Sequence, residues 1–412
     1  MSPTAISPRS QDDHPSQFWL YGMLIALFVS NTGTSLQLAT QAWFVWEVSH
    51  RPATVGVLGL VQATPLLGVP LLGGVLADRF PRQRLLLMTQ GTLALIAALM
   101  GSLALAGRLS LPLTLVLSGV LASVSALDNP IRQVYVPGVV ETTQRGRMVG
   151  LNALTYNAGA IVGPATAGIL IPLVGVSWCF LLNGLSYLVV IAWLLAGPAA
   201  PPRPAHASNE QTLKVSRYIW NTASVRIMLV LVAVVSLLGR SYPTVLPIVV
   251  SRTWGSGAQT YGMLAALPGL GAALAAIFVA WLLGHRKRLV PVWLGGVLLG
   301  GAVTGVGMTG NLMLAGLALL ATGGFATGTM TLLNASIQET TPNEVRGRVM
   351  SLYTWLAAGM PALGGWLLGT MMGIWTAQGT LVTGGITLIV VTLIMGWGTR
   401  RDVRSANREM TP

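Results

Sequence analysis

The chain has 412 residues, of which 53% are hydrophobic and only 8% charged, with a net charge of +13. A soluble domain carries about 25% charged residues, so this composition excludes a water-exposed globular surface and implies a lipid-facing one. The single Cys179 excludes an internal disulfide. The basic excess falls in short loops between apolar runs, which answers to membrane topology and not to a nucleic-acid partner.

In chain order, residues 1–16 are polar and include Asp12 and Asp13. They lack the basic start, short apolar core and small-residue cleavage site of a signal peptide, and are expected to be a cytoplasmic tail. Apolar stretches of about 20 residues or more then predict membrane-spanning helices. Twelve are expected, at roughly 17–46, 52–77, 84–107, 110–134, 146–172, 174–197, 226–250, 258–283, 289–309, 311–335, 347–371 and 373–397. Residues 17–197 make a first six-helix bundle and 226–397 a second. Between them, 198–225 form a cytoplasmic linker. It opens with a proline-rich spacer, Gly197-Pro-Ala-Ala-Pro-Pro-Arg-Pro. Lys214, Arg217 and Arg226 then mix with Val215, Tyr218, Ile219 and Trp220, a pattern suited to a helix lying in the membrane interface. Residues 398–412 are expected to be a cytoplasmic tail.

With both termini inside, all but Arg51, Arg108, Arg240 and Arg252 of the 24 Lys and Arg residues fall on the cytoplasmic side, as the positive-inside rule requires. The expected location is therefore a plasma membrane, crossed many times.

Two patterns organise the chain. The first is the loop Gly74-Val-Leu-Ala-Asp78-Arg79-Phe-Pro-Arg82-Gln-Arg84, three positive charges and one carboxylate between two apolar runs. Proline stops the preceding helix there. The second is an internal repeat: Arg145-Gly-Arg-Met-Val-Gly-Leu returns as Arg346-Gly-Arg-Val-Met-Ser-Leu, with Gly163 matching Gly364 and Gly168 matching Gly369. Six helices per repeat is an even number, so both copies point the same way across the membrane.

These residues resemble the major facilitator superfamily. Its signature loop between helices two and three is filled here by Gly74, Asp78, Arg79, Arg82 and Arg84, and parallel six-helix repeats are its architecture. Ala126-Leu-Asp-Asn-Pro-Ile-Arg-Gln, Gly163-Pro164 and Thr341-Pro-Asn-Glu-Val-Arg-Gly-Arg are most similar to the drug- and siderophore-exporting branch that includes enterobactin exporters and macrolide efflux proteins. Ala160 departs from that branch, where many members have arginine. The resemblance implies an all-α membrane protein of twelve helices. It implies a secondary efflux transporter for a small amphipathic compound, working by alternating access and coupled to protons. A siderophore or other secreted metabolite is an alternative cargo, and a non-transporting sensor or assembly subunit an alternative class.

Three constellations carry the expected chemistry. In the superfamily helices two, four and eleven meet at the cytoplasmic side, so Asp78, Arg79, Arg82, Asp128 and Arg132 are expected to form a conformational latch with the start of helix eleven. The other reading is a solvated loop that only sets topology. Gly159, Gly163, Pro164 and Gly168 resemble the antiporter motif of exporters, and equally suit close helix packing. Asn31, Thr34, Gln37 and Gln41 form a polar stripe on helix one that lipid would not tolerate. It implies either substrate contact or bonding between helices. Arg240, deep in helix seven, is expected to face a central cavity or a partner because a lipid-facing arginine there costs at least about 2.5 kcal/mol; the other reading is a helix that begins later and leaves Arg240 near the outer surface. Tyr242, Asn334, Tyr353, Trp43 and Trp355 are further cavity candidates. Asp78, Asp128, Glu47 and Glu339 are expected near the membrane surfaces, leaving no carboxylate at the midplane and none opposite Arg240.

Other chemistry finds no support. Gly305-Val-Gly-Met-Thr-Gly310 matches a dinucleotide fingerprint by letter, but inside an apolar span with no acidic residue about 20 positions on. Neither lysine sits in a phosphate-binding loop, and His14, His50, His206 and His285 lack metal-ligand spacing. No enzyme, cofactor or metal is expected. The partners are a small-molecule substrate, protons and membrane lipid, with no nucleic acid, and the chain is expected to act as a monomer.

Overall fold

The computed structural model describes residues 17–79, 81–138, 145–197, 212–283 and 290–409. Within these, the side chains of 17, 67, 69–79, 133–134, 136–138, 145, 212–215, 280–283, 290–291 and 398–409 lie outside the description.

The helices are α1 (Gln17–Ser49), α2 (Pro52–Arg79), α3 (Arg82–Leu105), α4 (Leu111–Gly138), α5 (Arg145–Val174), α6 (Val176–Leu195), α7 (Thr212–Asn221), α8 (Ala223–Val234), α9 (Tyr242–Trp254), α10 (Ala258–Leu283), α11 (Val290–Met308), α12 (Leu312–Thr340), α13 (Asn343–Ile374) and α14 (Ala377–Glu409). A π turn, Val235–Gly239, joins α8 to the break before α9, so these pieces make one seventh span. Nine of these segments are long and apolar enough to cross a membrane, and the described parts of α2 and α11 add the apolar stretches Pro52–Leu66 and Val292–Met308. With α1, whose apolar run the polar stripe interrupts, they make twelve spans.

Short loops keep neighbours antiparallel. Proline 81 precedes α3, and Gly175 at φ 84° turns α5 into α6. Asn311 caps α12 by accepting from the backbone N–H of Met313 (2.8 Å) and Leu314 (3.3 Å). Pro130 does not end α4, which runs on to Gly138, beyond the expected limit.

The repeat appears as a pseudo-two-fold arrangement written in glycine. A methyl group on Gly163 of α5 would lie 2.5 Å from Ser35 Cβ and 2.7 Å from Leu36 N on α1. On the matching Gly364 of α13 it would collide with the Leu237 carbonyl and Ser241 Oγ, in the seventh span. One helical turn further, the same two helices cross to the other half. Gly168 packs on Gly262 of α10, where a methyl would be 2.8 Å from Cα, and Gly369 packs on Gly56 of α2 at the same separation. Each eleventh-and-fifth helix therefore grips the first helix of its own half and the second helix of the opposite one. Only a missing Cβ permits backbones that close.

Cross-half contacts concentrate at the end of the bundle away from Arg82 and Arg84. Trp43 on α1 stacks on Tyr261 of α10 with centroids 5.5 Å apart, and the Tyr261 hydroxyl donates to the Ala39 carbonyl at 3.3 Å. Arg252 on α9 lies 5.3 Å over the Trp46 ring and donates to the Met372 carbonyl of α13 at 3.3 Å. Val55 and Leu58 join Leu246, Val249 and Val250 in the same apolar cluster, so this end is one continuous core across both halves.

Candidate functional site: a cavity between the two halves

Between the halves lies a cavity of about 610 Å³. One wall belongs to the first repeat: Asn31 and Thr34 on α1, Gln62 on α2, Gln90 on α3, and Asp128 and Arg132 on α4. Arg240, Thr244 and, from α13, Tyr353 and Thr354 form the opposing wall. Polar groups in an apolar span are costly unless they face such a space or each other.

The most elaborate part is built around Asp128, which is only 3% exposed. Its carboxylate accepts from the Thr89 hydroxyl at 2.6 Å, and the Gln90 amide donates to both oxygens at 3.0 Å. Arg132, one turn along α4, places Nε 3.8 Å from Oδ2 and donates to Asn129 Oδ1 at 2.8 Å. Asp128 lies ten residues before the end of α4, about 15 Å at the helical rise. It stands near the end of the apolar stretch Leu111–Arg132, buried on the cavity wall.

Arg240 is positioned by the break in the seventh span. The π turn shifts the register there, and Ser241 Oγ donates to the freed carbonyls of Leu237 (2.5 Å) and Ser236 (3.3 Å). The exposed guanidinium donates to the Ala357 carbonyl at 3.1 Å. Asp128 therefore shares a cavity with Arg240 from the other half, where the sequence had offered no carboxylate.

Comparison with known proteins bears on this architecture. A major facilitator family model described as transmembrane secretion effector matches residues 16–410. The chain belongs to this family. Relatives include a staphyloferrin A transporter of Staphylococcus aureus, 22% identical over 85% of this chain and 89% of the relative. An enterobactin exporter of Citrobacter koseri is 24% identical over 90% of each. The fold matches a bacterial homologue of the human lysosomal transporter Spinster, in an inward-facing and occupied conformation. That match has a TM-score of 0.74 at 12% identity, covering 93% of this chain and 96% of that one. A D-xylose–proton symporter matches with a TM-score of 0.71 at 14% identity, over 92% and 97%. The chain is thus a multi-pass major facilitator transporter for a small molecule and not an enzyme.

Within this family fold the expected site residues separate into groups. Asn31, Thr34, Arg240 and Tyr353 line the cavity. Gln37 and Gln41 do not: they are buried in the first half. Both donate to the Met100 sulfur at 3.6 Å, Gln41 accepts from Gln62 at 2.8 Å, and Gln37 accepts from Asn183. The stripe's deeper half thus bonds helices together, because α1 packs tightly on α6 there. Even the cavity-lining members are tied, Asn31 to Thr155 (3.2 Å) and Thr34 to the Tyr187 hydroxyl (3.0 Å). Tyr242 is buried in the apolar core, Trp43 in the cross-half seal, and Asn334 accepts from Gln338.

Of the expected latch, Arg82 is buried as the first residue of α3 and not on an open loop. The backbone of Asp78 and Arg79 ends α2, but their side chains lie outside the described residues. Gly159, Gly163 and Gly168 are close-contact points, Gly159 against Asn31 and Thr32 of α1. Pro164 lies within α5 without ending it.

Sequence reasoning missed Thr89, Gln90, Gln62 and Thr244. The adjacent Thr89-Gln90 pair, inside the expected span 84–107, was legible as polar residues in an apolar run, but nothing in the sequence pairs it with Asp128 on another helix.

Proposed function

We propose that this transporter exports a small amphipathic compound bearing an anionic group, by rocking the two halves alternately open around the cavity, against an inward flow of protons. The observation that carries this reading is the shared cavity: its walls come from opposite repeats and hold fixed charges of both signs. Two relatives whose names are those of siderophore carriers favour a siderophore or other secreted metabolite as cargo.

In this reading both termini and the Arg82–Arg84 end are cytoplasmic, and residues 17–197 and 226–397 are the rocking bodies joined by a cytoplasmic linker. Asp78 and Arg79 belong to a latch near Arg132 that holds the cytoplasmic side. Gly159, Gly163, Pro164 and Gly168 keep α5 close to α1 and α10 as the halves move. Arg240 receives the anionic group, with Asn31, Thr34 and Tyr353 around it. The transporter works as a monomer within lipid.

The test is flux in inside-out vesicles with an imposed pH gradient, comparing acidic and neutral amphipathic compounds. Gradient-dependent uptake of acidic compounds supports the reading. Uptake unchanged after collapse of the gradient removes proton coupling, and no uptake of any compound favours a sensor or assembly role.

A further inference from the structure

Among the described residues, the hydrogen bonds to Asp128 all come from donors. Thr89 and Gln90 donate to it, and Arg132 supplies the nearby positive charge. The carboxylate fixes the orientation of the Gln90 amide, since only its NH₂ can face an acceptor. That leaves Gln90 Oε1 turned the other way, and this buried oxygen has no hydrogen-bond partner among the described residues. Ser118 Oγ, on the same cavity and also buried, is likewise unsatisfied. An unsatisfied buried acceptor is costly. Gln90 Oε1 beside Asp128 thus makes a site that lacks a donor.

We propose that Asp128 with Gln90 is a donor-binding subsite, at which a proton and the hydroxyl- or amine-bearing end of the exported compound exclude each other while Arg240 takes the anionic end. The inference rests on the export reading and adds to it both the coupling residue and a two-ended ligand class.

The sign of the coupling decides the form of the ligand. An anion held by Arg240 and Arg132 alone binds better when Asp128 is protonated, because a negative charge has left the wall. Proton and substrate would then travel together. Export against an inward proton flow needs the opposite linkage, in which protonation weakens substrate binding. A hydroxyl or ammonium donating to the Asp128 carboxylate meets that need, since the protonated carboxyl no longer offers the acceptor. The exchange forms or breaks only the O–H bond of the Asp128 carboxyl, moves one proton, and leaves every bond of the substrate intact.

Other groups able to influence Asp128 are few among the described residues. Arg132 lies on its own helix. Tyr187 of α6 and Tyr156 of α5 line the same space, and Arg240 and Tyr353 face it from the second half. On α2, Gln62 is neutral and the Asp78 and Arg79 side chains are outside the description.

The test uses the purified full chain in lipid nanodiscs and has two arms. Without ligand, infrared difference spectra between high and low pH should show a protonated-carboxyl band that Asp128→Asn removes. Gln90→Leu should move that band, which covers the case that Asp128→Asn fails to fold. Superimposable wild-type and variant spectra overturn the assignment. With ligand, 2,3-dihydroxybenzoate carries hydroxyl donors and a carboxylate, and benzoate carries the carboxylate alone. Dihydroxybenzoate should bind up to about tenfold more weakly per unit fall in pH, and Asp128→Asn should abolish that dependence. Benzoate should hold or tighten. Tightening of both probes at low pH, or binding by neither, overturns the proposed ligand. A flux assay that fails while the infrared band is present sinks the export reading and leaves the protonation site standing.

Discussion

At the scale of single residues, Arg240 and Asp128 illustrate what a fixed charge inside a membrane implies. Arg240 uses one of its five N–H donors on the Ala357 carbonyl, so most of its hydrogen-bonding capacity faces the cavity. Arg240→Gln should preserve folding, because no carboxylate depends on it among the described residues. It should weaken acidic compounds by about tenfold or more, the worth of a charged hydrogen bond at roughly 1.5–3 kcal/mol. Neutral compounds should be nearly unaffected. Arg240→Lys should fall between, having lost the planar fork. Equilibrium binding of matched acidic and neutral compounds measures both, and an equal loss for the two classes would exclude an anion site. Asp78→Asn belongs to the proposed latch. It should insert at normal levels and slow transport several-fold, and a normal initial rate in vesicles would refute the latch. The charges themselves were legible: an arginine in mid-span cannot be idle. Which carboxylate shares its cavity was not legible, because hydropathy places Asp128 in the span 110–134 without saying which way it faces, and that is decided by the packing of α4 against α2 and α3.

At the scale of elements, glycine spacing decided where helices touch, and the repeat made it readable in sequence. Gly163 and Gly364 were matched by their position after the two Arg-Gly-Arg starts, and the structure shows both pressed against the first helix of their own half. The polar stripe of α1 was read correctly as a face turned from lipid. Periodicity does not say whether such a face meets a cavity or a neighbouring helix, which is why Gln37 and Gln41 went to packing while Asn31 and Thr34 reached the cavity. The glycine contacts give a graded prediction. Gly364→Ala drives a methyl into the Leu237 carbonyl and Ser241 Oγ, backbone and a buried hydroxyl that hold the π turn. It should cost about 1–3 kcal/mol and also weaken ligands of Arg240, whose register that turn sets. Gly301→Ala, where nothing lies within 4 Å, should be neutral or stabilising by up to about 1 kcal/mol. Thermal melts of the two variants side by side make the comparison. Equal melting temperatures would mean α13 can move away from the seventh span at no cost.

At the scale of the whole molecule, the proposed alternating access requires that the seal between the halves be weak enough to break in each cycle. The sealed end combines two kinds of contact. Its apolar cluster, from Val55 and Leu58 to Leu246 and Val249, resists opening without directional preference. The Trp43–Tyr261 stack with its hydroxyl-to-Ala39 bond, and the Arg252–Trp46 contact, add only a few specific interactions. An aromatic pair contributes about 0.5–1.5 kcal/mol beyond its buried area, and a hydrogen bond about as much. Together they bias the balance of open and closed states by roughly tenfold to a hundredfold, since about 1.4 kcal/mol is a factor of ten. Removing them should therefore shift the population without unfolding either half, each of which keeps its own glycine-packed helices. The measurement is labelling of Leu38→Cys, on the cavity wall, by a membrane-impermeant thiol reagent applied from the Trp43 end. The background is Cys179→Ser, since Cys179 is buried and the chain has no other cysteine. Tyr261→Ala should raise the labelling rate by about tenfold or more, and Tyr261→Phe, which loses only the hydroxyl, by less. If both variants label at the parent rate, the stack does not hold this end closed, and the apolar cluster with the cross-half glycine contacts must set the balance between the two openings.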